Sequence, residues 1–128
     1  MTRRSETLLT RAYDEILTLL NEARDLAQEE VFAGRARQIS FDLMRENFRV
    51  TTRLGEALAW VAARRAVESG EMSAEDALAP VFRLGSQDTC LAGNDLEEMS
   101  QRRRVLAAQT LALYRRIARL DGMADRAA

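Results

Sequence analysis

The sequence predicts an all-α fold: an antiparallel three-helix bundle with a long, partly helical connection between the second and third helices. Three observations carry this. Stretches at about 6–32, 41–69 and 95–121 repeat apolar side chains every three or four positions, which is the helical period. One Pro and six Gly in 128 residues are too few punctuators for a turn-rich β fold. Hydrophobic residues make up 47% and charged residues 30%, the balance of a folded globular chain. At 1.5 Å per residue each helix spans roughly 40 Å, and such matched lengths fit antiparallel packing. A single domain over 1–128 is expected, because a chain of 14.4 kDa can bury about two-thirds of its unfolded surface.

In the first helix Leu8, Leu9, Ala12, Ile16, Leu19, Leu20, Ala23, Leu26 and Ala27 fall on one half of the wheel, with charged and amide residues on the other. Ser5 is the expected N-cap and Gly34 the expected stop. The second helix has Ser40 to cap it and Gly70 to close it. Its apolar arc, with Leu43, Met44, Phe48, Val50, Thr51, Leu54, Gly55, Leu58, Val61, Ala62 and Ala66, covers about 200° of the wheel, so this is the middle helix that touches more than one partner. The connection 70–94 holds another capping signal, Ser73 to Asp76, for a short helix over 74–79 ended by Pro80. Val81, Phe82, Leu84 and Leu91 are its expected anchors onto the bundle. The third helix starts at Asn94 with Glu97 as a capping box, and Leu96, Met99, Leu106, Thr110, Leu113, Ile117 and Leu120 form a seam interrupted at Arg103.

Composition excludes several chemistries. With no His, Ser-His and Cys-His catalysis and His-ligated metals are ruled out, including the di-iron bundles that need Glu-x-x-His. Cys90, the lone cysteine, permits no intrachain disulfide and no Cys-rich zinc site, and is expected to be a buried inert thiol. All nineteen basic residues are Arg, which removes Schiff-base and P-loop lysines. The adjacent acidic pairs Glu29-Glu30, Glu75-Asp76 and Glu97-Glu98 diverge on a helix. No cofactor, no metal and no catalytic residues are therefore expected. A net charge of −1 predicts no nucleic-acid partner, and Arg102-Arg103-Arg104 point about 100° apart rather than forming one patch. Glu98 stands four residues before Arg102, at ion-pair spacing. The start Met1-Thr2-Arg3-Arg4-Ser5 lacks the apolar core of a signal peptide, and no apolar run reaches membrane-span length, so a cytoplasmic protein without membrane insertion is expected.

Three residues stand out as candidates. Trp60 faces Arg49, Arg53, Glu56 and Arg64 on the wheel, with Val67 on the same side, and an aromatic on a charged face requires cover from the 81–91 connection, a second subunit or a client protein. Trp60 and Val67 are the candidate contacts of an expected homodimer. Arg103 points into the apolar arc of the third helix, where a permanently charged guanidinium must either snorkel out or meet a carboxylate or helix-end carbonyls; a buried ion pair is the expectation.

The stretch Phe48-Arg49-Val50-Thr51-Thr52-Arg53-Leu54, followed by Ala59-Trp60-Val61 and Arg65-Ala66-Val67-Glu68-Ser69-Gly70-Glu71-Met72, resembles the alphaproteobacterial regulator-of-CtrA-degradation family. So do Arg83-Leu84-Gly85 ahead of Cys90 and Leu113-Tyr114-Arg115-Arg116-Ile117-Ala118-Arg119-Leu120-Asp121. The resemblance covers essentially the whole chain from the first helix to Asp121, and none of its motifs is catalytic. It implies a dimerising three-helix bundle and a proteolytic adaptor that tethers cell-cycle regulators such as CtrA to the ClpXP protease without cutting anything itself. The alternative is a structural or regulatory helical bundle not linked to proteolysis; a ligand-binding bundle is disfavoured because polar residues do not converge on the apolar arcs. The chain ends at Ala128, shortly after Leu120, so a delivery or localisation step that needs a longer polar tail is expected to be missing.

Overall fold

The computed structural model describes residues 3–32, 41–92 and 99–127. Among them there is no strand, and the elements in order are α1 (Arg3–Phe32), α2 (Phe41–Glu68), two short 3-10 turns (Asp76–Leu78 and Pro80–Phe82), α3 (Gln87–Cys90) and α4 (Gln101–Ala127). The three long helices touch one another pairwise. α2 also contacts α3 and both 3-10 turns, so it is the element against which everything else is placed.

α1 begins at Arg3, so Ser5 lies within the helix instead of capping it. α2 ends as its glycine requires. Gly70 adopts φ +80, the left-handed region that glycine enters without a Cβ penalty. Around it Glu71 N–H donates to Ala66 O at 2.8 Å and Gly70 N–H to Val67 O at 3.2 Å, the paired bonds of a Schellman cap. The Ser73 signal is realised, since Asp76 N–H donates to Ser73 Oγ at 3.0 Å. The segment it starts is nonetheless only a 3-10 turn, and Pro80 opens a second one as its first residue.

α4 starts at Gln101, six residues later than the sequence pattern suggests; Asn94, Leu96, Glu97 and Glu98 lie outside the described residues. The reason is Ser100. Its Oγ accepts from Arg103 N–H at 3.2 Å and its carbonyl from Arg104 N–H at 3.0 Å, which makes it the N-cap. At the other end α4 continues through Asp121 and Gly122 to Ala127. A lone helical glycine costs only about 1 kcal/mol and does not stop a helix by itself.

The core joins Ile16, Leu19 and Leu26 of α1 to Val50, Leu54, Trp60 and Val61 of α2 and Leu106, Leu113, Tyr114 and Ile117 of α4. Leu84 and Cys90 bring the connection into the same cluster. Of the four expected anchors only Leu84 is buried; Val81 and Leu91 face solvent and Phe82 is half-buried, while Ala77 and Cys90 take the inner positions. Leu8 is exposed too, as are Met44 and Phe48 on the outer side of α2. On the surface Arg102 pairs with Glu22 at 3.3 Å and with Glu29, and Arg116 with Glu15, linking α4 to α1.

Replacing Ser100 by Ala should lower stability by about 1 kcal/mol, the usual worth of such a cap. Thermal unfolding of the two proteins measures it. An unchanged Tm would place the start of α4 elsewhere.

Candidate functional site

Arg53 is the most buried charged residue among the described residues, at 2% exposure. Its neighbours three back, four on and seven on along α2 are Val50, Ala57 and Trp60, all buried, so the helix drives it inward. Burial disfavours its charge and pushes its pKa down, while Glu46 opposes that. The donors are met by three backbone carbonyls and one side-chain hydroxyl. Nε donates to Cys90 O at 2.7 Å and Nη2 to Ala92 O at 2.7 Å, carbonyls at and just past the end of α3. Nη1 reaches Ala107 O at 3.4 Å and Thr110 Oγ1 at 3.3 Å on α4. One guanidinium thus joins α2, the connection and α4, using the planar fork that a lysine ammonium lacks.

Two further clusters join the same elements. Asp121 of α4, 4% exposed, accepts from Trp60 Nε1 at 3.0 Å and from Arg83 Nε at 2.6 Å, and Arg83 Nη2 also donates to the Asp121 carbonyl at 3.2 Å. The Arg64 guanidinium lies 5.2 Å from the Trp60 ring centroid, within cation–π range. Glu56 accepts from Tyr114 Oη at 2.8 Å and from Ser86 N–H at 3.3 Å. The Tyr114 hydroxyl is raised well above its ordinary pKa, first by burial and then by that bond to Glu56, and burial also raises the Cys90 thiol.

These placements answer the sequence reading residue by residue. Trp60 is 5% exposed within the isolated chain, so its cover comes from inside the molecule, and the structure places it in the core rather than on an outer face. Val67 is half-buried. Arg103 is 7% exposed, which excludes a side chain standing wholly in solvent. Cys90 is fully buried. Arg53, Glu56, Arg83, Tyr114 and Asp121 were not selected as site residues by the sequence reading. Arg53 and Asp121 carry the same signal that singled out Arg103, a charged residue at a seam position: Asp121 follows Ile117 by four and Tyr114 by seven, both buried.

Beside Arg53 an open cleft of about 570 Å³ lies between α2 and α4, with Leu91, Met99 and Leu111 among its apolar walls and Glu46, Arg104 and Arg115 among its charges. Among the described residues no group of three or more His, Cys, Asp or Glu is placed to hold a metal ion, and no helix is long and apolar enough to cross a membrane.

The arrangement has a pH signature. Tyr114 and Cys90 are harder to ionise folded than unfolded, so at high pH the folded chain holds more protons. Their contribution is complete below the unfolded values of about 8.5 for Cys and about 10 for Tyr, and declines as the pH rises past them. Urea unfolding across that range should show stability falling from about pH 8.5 and more steeply above about pH 10. Tyr114→Phe should remove the second component. An unaltered slope in that variant would mean that the hydroxyl is not held as described.

A family model, described as Protein of unknown function (DUF1465), matches residues 2–128. No curated protein and no solved structure matches. The chain belongs to the DUF1465 family.

Proposed function

We propose that this member of the DUF1465 family is a non-enzymatic adaptor, an antiparallel three-helix bundle with its connection folded over it, that hands cell-cycle regulators such as CtrA to the ClpXP protease in the cytoplasm. The reading takes its direction from the resemblance to the regulator-of-CtrA-degradation family. The observation that carries it is a division between inside and outside. Polar groups of Arg53, Trp60, Arg83, Tyr114 and Asp121, all within the stretches that carry the resemblance, are engaged within the chain. Large apolar side chains stand in solvent instead: Val81 at 73% exposure on the connection, and Val105 and Met123 on α4. Each of these side chains is available as a contact for a protein partner, whose contact cores are poor in charge.

The test is capture of the tagged full chain with a proteolytically inactive ClpXP, read by mass spectrometry. ClpX and at least one regulator should co-purify. Val81→Glu, Val105→Glu and Met123→Glu should be tried singly, and at least one should lower capture about tenfold or more. Each should change stability by no more than about 0.5 kcal/mol, because the sites are exposed. Absence of ClpX from the wild-type capture would remove the adaptor reading.

A further inference from the structure

Along α4, Arg104, Ala108, Leu111 and Arg115 follow one another at i, i+4, i+7 and i+11, so they share one face. That face is turned away from the core, with Ala108 and Arg115 exposed. It forms one wall of the cleft of about 570 Å³, and Glu46 and Arg53 of α2 belong to the other. The volume lies within the range of small-molecule sites. We propose that this cleft binds a small amphipathic carboxylate, a free fatty acid of medium chain length. The proposal does not rest on the adaptor reading.

The charge of the cleft selects an anion. Three arginines and one glutamate line it. Glu46 is already in an ion pair with Arg49, which stands outside the lining. Arg115 makes no hydrogen bond or ion pair with the described residues. Arg53 brings five N–H groups to four acceptors, and the only one at Nη2 is Ala92 O. None of the four is a carboxylate, and Arg115 acts on Arg53 as a like charge. A carboxylate placed between these two guanidiniums would accept charge-assisted bonds from both, on a wall where burial strengthens them.

The walls select what the anion carries. Leu91, Met99 and Leu111 supply aliphatic and thioether surface, and none of the described residues lining the cleft is aromatic. A nucleotide would find no ring on which to stack its base. A flexible alkyl chain needs none, and a methionine adapts its shape to one. From Arg104 to Arg115 the α4 wall runs about 16 Å. The head would sit at Arg53 and Arg115, with the tail running back past Ala108 toward Met99 and Leu91. No single helical wheel shows this convergence, because Arg53 and Arg115 lie on different helices and only packing brings them to one cleft.

Isothermal titration calorimetry of sodium decanoate into the full chain, below its micelle concentration, tests this. One decanoate per chain should bind with a Kd below about 100 μM. Decyltrimethylammonium, with the same tail and a cationic head, should bind at least about tenfold more weakly. Arg115→Gln should weaken decanoate binding about tenfold or more, and Ala108→Glu should abolish it by setting bulk and like charge in the wall. Both positions are exposed, so without ligand the Tm of each variant should stay within about 3 °C of the wild type. Arg119→Gln removes an exposed α4 cation outside the cleft and should leave the affinity unchanged. Absence of saturable decanoate binding, equal affinity for the two head groups, or indifference to Ala108→Glu would overturn the site. Binding to phosphatidylglycerol vesicles without affinity for free decanoate would make a membrane lipid the occupant and overturn the free acid.

Discussion

A guanidinium that cannot lose its charge is held inside this protein, and that single constraint organises the connection. Arg53 is carried inward by the same α2 face that buries Val50, Ala57 and Trp60. Left without acceptors there, it would cost several kcal/mol. Its acceptors are not on α2: Cys90 and Ala92 supply their carbonyls from the connection, and Ala107 and Thr110 complete the set from α4. The chain therefore has to bring the end of α3 down onto α2. In return, carbonyls at and beyond a helix end, which have no partner of their own, find a charged donor.

The other two clusters repeat this logic at different heights. Asp121 is satisfied by Trp60 and Arg83, Glu56 by Tyr114 and the Ser86 amide, and each set again spans α2, the connection and α4. Buried polar sets of this kind add little net stability compared with apolar packing, because desolvation offsets most of what the contacts return. Their effect lies in arrangement: a slipped helix or a lifted connection would leave several buried groups unpaired at once. The residues that carry the resemblance are in this way used to define the fold.

Much of this was legible in the sequence, and the failures have physical causes. The helical stretches of α1 and α2 followed from the apolar period, and the stop at Gly70 and the Ser73 signal from capping chemistry, all of which are local; Ser5, expected to cap α1, lies inside it, and Gly34 and Ser40 lie outside the described residues. The start of α4 did not, because Asn94 with Glu97 offered a better local cap than Ser100, and only the folded chain shows Ser100 in use. Trp60 was offered as a dimer contact because a wheel groups it with charges but does not say that Asp121 of α4 will accept from its Nε1; its 5% exposure favours the other reading, cover from within the chain. Met44 and Phe48 were assigned to the core because an arc of about 200° looks like contact with several partners in one chain. In the structure the inner part of the arc packs within the chain and the outer part does not.

The most direct test of the central claim is amide hydrogen exchange on the full chain, wild type against Arg53→Met. If Arg53 holds the connection down, the Cys90 and Leu91 amides, which bond to Ser86 and Gln87, should lose about 100-fold of protection. Amides in the middle of α1, around Ile16, should lose far less. Equal loss in both places, or an unchanged connection, would contradict the account and move the organising role away from this guanidinium.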